Sequence, residues 1–219
     1  MDDYRRNVRH DDFPRITTPA LARGFVERRV RELSAEIGEA SVVLAYSGGV
    51  CSTVCAALIR EAIGDRLNGA FVDLGLRDRA QVIELYKRQL AQELEVIDAR
   101  ADIGCLLDGV SAPEEKSRVI GAYLVEAFRD LAIKHNTRFV ATDTTYPDIL
   151  KTRRNQPSHH SMVHEPLGDG IELVEPVKLL FSDEVLMVAR LLSLNTHADS
   201  SSLPSNTPTK RKRNRGERE

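Results

Sequence analysis

Between Tyr46 and Thr53 the chain reads Tyr-Ser-Gly-Gly-Val-Cys-Ser-Thr, with hydroxyls at Ser47, Ser52 and Thr53 around the pair Gly48-Gly49. An apolar run, Ser41 to Tyr46, precedes it and reads as a buried strand. Cys51 to Ile63 follows, with Val54, Cys55, Leu58, Ile59 and Ile63 spaced for one helical face and Gly64 as the stop. Strand, glycines, hydroxyls, helix is the order of an anion cradle. Glycines let backbone approach a ligand, and the free amides and positive dipole end of a helix favour phosphate. A plain βα turn would use the same glycines. Cys51 at the helix start predicts a thiol of lowered pKa. Cys51 and Cys55 stand four residues apart, and His159, His160 and His164 follow later, but no Cys-x-x-Cys pair exists. They read as a loop thiol and a core cysteine rather than zinc ligands.

The elements that position this loop are legible in order. Thr18-Pro19 is an N-cap followed by proline in the first turn, and Phe25, Val26, Val30, Leu33 and Ile37 carry a helix to Gly38. Leu67 to Asp73 reads as a second strand with Leu74-Gly75-Leu76 as its exit, and Ala80 to Leu94 as a helix. Glu95 to Asp98 is a short third strand, Ile103 to Val110 a brief helix, and Pro113 to about His135 a long one. Arg138 to Thr142 and Ile171 to Glu175 are the fourth and fifth strands, and Ser182 to Leu194 closes the domain as a helix. The polar stretch from Asp143 to Gly170 is too long for a plain connection. Alternating strands and helices predict an α/β fold: a parallel five-stranded sheet with helices on both faces. Ligands of such sheets sit beyond the carboxyl ends of the strands, where the glycine loop, Asp73 with Gly75, and the 143–170 stretch all emerge.

Length suits one domain, spanning 16–195, between a mobile arm at 1–15 and a disordered basic tail at 196–219. Charged residues make up 29% and the net charge is −2, so the molecule as a whole is no electrostatic nucleic-acid binder; only the tail run Lys210 to Arg215 suits that role. No apolar run approaches the ~18 residues of a membrane span. Three cysteines without a secretory signal predict a reducing, cytoplasmic home.

Neither Gly-x-x-x-x-Gly-Lys-[Ser/Thr] nor Gly-x-Gly-x-x-Gly follows the first strand. Ser47-Gly48-Gly49-Val50-Cys51-Ser52 instead resembles the pyrophosphate loop of N-type ATP pyrophosphatases, Ser-Gly-Gly-x-Asp-Ser. Further strings fall in the order found in GMP synthetase: Ala62 to Leu67, Phe71-Val72-Asp73, Gly109 to Lys116, Ile120-Gly121, Thr144-Thr145-Tyr146-Pro147-Asp148, Ser158-His159-His160, Glu175-Pro176-Val177 and Leu180 to Val185. They cover Gly24 to Leu194. The resemblance implies an adenine nucleotide alpha hydrolase-like, Rossmann-like fold and a ligase reaction. ATP adenylates xanthosine monophosphate (XMP), pyrophosphate leaves, and ammonia displaces AMP to give GMP. It implies ATP contacts at Ser47, Gly48, Gly49, Val50, Cys51, Ser52 and Thr53, and near the adenine at Val72, Asp73, Leu74 and Gly75. Substrate contacts fall at Thr145, Tyr146, Pro147, Asp148 and Ser158, and catalytic roles at Ser47, Ser52, His159 and His160. It implies Mg2+ as cofactor, and ammonia from a separate glutaminase subunit or from solution.

The sequence departs from the pattern at definite places. Cys51 stands where the loop has its magnesium-binding aspartate, and no residue here is assigned as a metal ligand. Gln156-Pro157 replaces Ile-Lys before Ser158, and Thr142-Asp143 replaces Gln-Gly. The pattern's C-terminal dimerisation domain is absent from these 219 residues. Two functions are therefore weighed: a divergent ATP-pyrophosphatase subunit, and a weakened paralogue that binds nucleotide or a partner subunit without turnover.

Overall fold

The computed structural model describes Arg9, residues 13–153, Leu167 and residues 170–194. Ser158, His159, His160 and the basic tail lie outside the described residues.

Thr18 accepts a hydrogen bond from the Leu21 amide and Pro19 occupies the first turn, so helix α1 runs Pro19–Ile37. Strand β1 (Val42–Ala45) leads into α2 (Val50–Ile63), and β2 (Leu67–Asp73) into α3 (Arg79–Leu90). Strand β3 (Glu95–Asp98), α4 (Arg100–Leu106), α5 (Pro113–Lys134) and β4 (Phe139–Ala141) follow, then α6 (Tyr146–Arg153), β5 (Glu172–Val174) and α7 (Ser182–Leu191). The strands form one sheet in the order β3-β2-β1-β4-β5, every pair parallel. Val42 pairs with Leu67 on one side and Phe139 on the other. The chain steps outward from β1 in both directions, so the switch point lies between the carboxyl ends of β1 and β4.

Alternate strand residues feed two cores, as the pleat requires. Val42, Leu44, Phe71 and Phe139 pack with Leu33, Leu58 and Val188 from α1, α2 and α7. Val43, Val72 and Val140 pack with Phe128 and Leu131 of α5. Helices therefore cover both faces of the expected five-stranded parallel sheet. Gly69 in β2 is fixed by close approach: a Cβ there would lie 2.3 Å from the Tyr86 hydroxyl.

Several boundaries differ from the periodicity. Helix α3 stops at Leu90 because Ala91 turns left-handed (φ 51°), although Leu94 is buried beyond it. Helix α4 starts at Arg100, earlier than Ile103, where the Asp98 carboxylate accepts the Arg100 amide at 3.3 Å. Within the polar stretch an additional helix, α6, forms. Thr145 precedes it, Pro147 lies in its first turn, and the Asp148 carboxylate takes the Thr145 amide at 3.0 Å, one half of a capping box.

Glu184, third residue of α7 and fully buried, gathers the amino-terminal segment. It accepts from Arg9 through both carboxylate oxygens (2.6 and 2.8 Å), from the Ile16 amide (2.8 Å) and from the Phe181 amide (2.8 Å). Arg15 pairs with Asp183. Arg9 and Phe13 to Arg15, read from sequence as part of a mobile arm, are thus tied to α7. Burial raises the Glu184 carboxyl, but Arg9 and the two amides outweigh it and hold it below its ordinary 4.5. Its contribution is complete above that value and disappears as pH falls through the lower folded-state pKa. Glu184→Gln is expected to lower unfolding free energy by about 2–3 kcal/mol at pH 7, hydrogen bonds to charged groups being worth ~1.5–3 each. Denaturant titrations from pH 7 downward check this: the gap between variant and parent narrows as the pH falls below the ordinary carboxylate range.

Candidate functional site

The glycine loop joins β1 to α2 at the switch point. Gly48 has φ 76°, a left-handed conformation, and a Cβ there would meet Val82 Cγ2 of α3 at 2.9 Å. Glycine is therefore required by both backbone and space. Gly49 is the N-cap of α2 and provides no side chain, so the first amides of that helix have no side-chain cap. That leaves donors and a positive dipole end facing the mouth.

A line of hydroxyls borders them. Ser47 Oγ accepts the Gly49 amide at 3.3 Å and lies 3.1 Å from Ser52 Oγ. Ser52 and Thr53 hydroxyls donate back to the Gly49 carbonyl at 3.0 and 2.8 Å. Tyr46, buried beneath the loop, places its hydroxyl 3.1 Å from Thr53 Oγ1. The loop is held from below and open at its amide end.

Two neighbouring loops converge on it. From the loop after β4, the buried Asp143 brings Oδ2 to 3.5 Å from Ser47 Oγ. From the loop after β2, an Arg77 amino nitrogen lies 3.8 Å from where a Gly49 Cβ would stand. Arg77 was not legible as a site residue: an exposed arginine in a connection reads as solvated. The signal available was its place two residues past Gly75, at the carboxyl end of β2.

The other expected site residues are placed as follows. Val72 is buried in the core against α5, and Leu74 packs beside that core, so their side chains do not face the loop. The Asp73 carboxylate closes the turn by accepting the Gly75 amide (2.8 Å) and pairs with Arg79 (2.7 Å). Arg79 and Arg100 also hold Asp98, each at 2.6 Å. Burial raises the Asp73 carboxyl, yet the Gly75 amide, Arg79 and Arg100 hold it below the usual carboxylate range. Thr145 and Asp148 cap α6, and the Tyr146 ring packs edge-on to Phe181 at 5.3 Å. Pro147 sits half-buried in the first turn of α6.

Cys51 reverses its expectation. Its thiol is pushed up to about 12, first by burial and then by the charges of Asp143 and Asp148. These outweigh the helix dipole, and Cys51, half-buried and packed against the core beneath the loop, is a neutral thiol. Among the described residues, no group of three or more His, Cys, Asp or Glu is placed to hold a metal ion, and no helix is long and apolar enough to cross a membrane. A separate groove of about 400 Å³ is lined by Phe13, Phe25, Arg28, Arg29, Pro176 and Leu179, among others, and includes no glycine-loop residue.

No family model matches the chain. Among curated proteins, the glutamine-hydrolysing GMP synthase of Thermomicrobium roseum is 41% identical over 185 residues, 79% of this chain and 35% of that protein. One subunit of the glutamine-hydrolysing GMP synthase of Pyrococcus horikoshii is 34% identical over 173 residues, 78% of this chain and 56% of that subunit. The chain thus spans about half the length of the Pyrococcus subunit and about a third of the longer Thermomicrobium enzyme. Among solved structures, the NH3-dependent NAD synthetase of Campylobacter jejuni superposes with a TM-score of 0.65 at 14% identity, covering 80% of this chain and 74% of that one. That likeness concerns the fold.

Two expectations follow from the loop geometry. Gly48→Ala should cost about 1–3 kcal/mol of unfolding free energy, the usual cost of forcing a side chain into such a backbone. Thermal or denaturant unfolding reads it. At pH 7.5 a maleimide or disulfide reagent should label exposed Cys105 well before Cys51, whose rise from 9.0 to about 12 cuts its thiolate fraction by roughly 10³. Mass spectrometry of peptides at early times would show the order.

Proposed function

We propose that this chain, homologous over 78% of its length to part of the GMP synthases, is a GMP synthetase-type ATP-pyrophosphatase subunit. It activates XMP with ATP and passes the activated nucleotide to ammonia supplied by a separate glutaminase subunit. The observation that supports this best is the uncapped start of α2 at Gly49, ringed by Ser47, Ser52 and Arg77 at the switch point. It is a site for an anion with several oxygens.

In this reading the purine oxygen of XMP attacks the α-phosphorus of ATP. The bond from that phosphorus to the bridging oxygen breaks, and its electron pair leaves with pyrophosphate. The amides at the start of α2 and the hydroxyls of Ser47 and Ser52 hold that departing charge, which grows in the transition state. Arg77 adds a positive charge above Gly49. Ammonia then attacks the activated purine carbon, AMP leaves with the carbon–oxygen electron pair, and the surplus proton passes to solvent.

Magnesium would neutralise the pyrophosphate oxygens as the bond breaks. The donors at the mouth suit such a hard cation: carboxylate and hydroxyl oxygens surround the loop. The Cys51 thiol, soft and protonated, does not. We read Cys51 as a replacement of the loop's usual acid. That same residue supports a second reading, in which the site binds nucleotide without turnover.

The test is AMP release from ATP in the presence of XMP and ammonium, with GMP formed in equal amount. The proposal expects both products, dependent on XMP. No AMP above a heat-killed control, with a glutaminase subunit and glutamine also added, would refute it. Nucleotide-dependent thermal stabilisation without products would favour the binding-only reading.

A further inference from the structure

We propose that Asp143 is the carboxylate that carries the divalent cation of bound ATP, across the cleft from the loop position that Cys51 occupies. The inference rests on the pyrophosphate-loop reading above. Asp143 lies two residues past the end of β4, the strand beside β1, and is only 6% exposed. Its Oδ2 lies 3.5 Å from Ser47 Oγ, which is itself 3.1 Å from Ser52 Oγ, so the carboxylate extends the hydroxyl line bordering the amide cradle.

A carboxylate there faces the place where the phosphates would sit. In a half-buried cleft two such negative groups repel strongly, and a divalent cation between them turns the repulsion into a bridge. Magnesium is held in this manner elsewhere, by one or two carboxylates plus substrate phosphates rather than by an all-protein cage. Asp148 is also within electrostatic reach of Cys51, but its Oδ2 accepts the Thr145 amide and hydroxyl and caps α6.

The charge of Asp143 is felt at Cys51, after burial the larger of the influences that raise its thiol, so positions 51 and 143 lie within electrostatic reach of each other. The pattern this chain resembles has an acid in the loop and none at the position of Asp143; this chain has the reverse. In sequence, one negative charge has moved from the loop to the strand-end position across the cleft.

The test uses α,β-methylene-ATP, which cannot be cleaved between the α- and β-phosphates, with Mn2+ as a paramagnetic stand-in for Mg2+. Affinity for the analogue is measured by calorimetry with Mn2+ and with EDTA, and bound Mn2+ by electron paramagnetic resonance. The parent should bind more tightly with Mn2+. Asp143→Asn should lose about tenfold or more of that gain, as changes around metal ligands typically do, while affinity in EDTA does not fall. Adding Cys51→Asp to Asp143→Asn should restore the gain by returning the charge to the loop. Melting temperatures confirm that each variant is folded. An undiminished Mn2+ gain in Asp143→Asn would overturn this assignment alone. Failure of the parent to bind the analogue under either condition would overturn the nucleotide reading itself.

Discussion

Helix α2 begins without a side-chain cap, and the mouth of the sheet depends on that. Its N-cap is Gly49, so the first-turn amides and the dipole end face outward. The surroundings are built to keep it so. Val82 stands where a side chain at Gly48 would point, and Tyr46 and Thr53 brace the loop from beneath. The Ser52 and Thr53 hydroxyls turn back onto the Gly49 carbonyl rather than forward onto the amides. The loop's own hydrogen bonds are satisfied among themselves, and the helix end is left for a ligand.

Charge around this helix end is divided. Arg77 contributes a cation above Gly49 from the β2 side, while Asp143 brings an anion from the β4 side. A further ionic set, Asp73 with Arg79, Arg100 and Asp98, stiffens the exits of β2 and β3. Its members face one another, so it shapes the loop that carries Arg77 rather than offering charge to the mouth. Position 51 is electrically silent, because burial and two nearby carboxylates keep its thiol protonated. An uncapped helix start with a neutral first turn thus faces a cation from one neighbouring loop and a carboxylate from the other.

Much of this was legible in the sequence, for physical reasons. β1 and β4 are nearly all apolar, as strands covered on both faces must be, and Thr18-Pro19 marks a helix start. The loop glycines announced themselves by type and place. What failed depended on contacts between distant segments. Helix α6 is short and barely amphipathic, and only Thr145-x-x-Asp148 betrayed its cap. The Arg9–Glu184 pair joins residues 175 apart in sequence, which no local pattern reports. The Cys51 shift runs opposite to expectation because the helix dipole is visible in sequence, whereas the burial of the thiol and, after it, the approach of Asp143 from the β4 side are not. Asp143 stood in the sequence only as a departure from the resembled pattern; that it lies beside Ser47 is set by the pairing of β1 with β4.

The central claim is that the start of α2 receives the phosphates of ATP. A crystal structure of the chain with Mg2+ and α,β-methylene-ATP tests it most directly. The account predicts phosphate oxygens within hydrogen-bond distance of the amides in the first turn of α2, with a cation next to Asp143. Phosphates seated elsewhere, such as the groove beside Arg28 and Arg29, would contradict it.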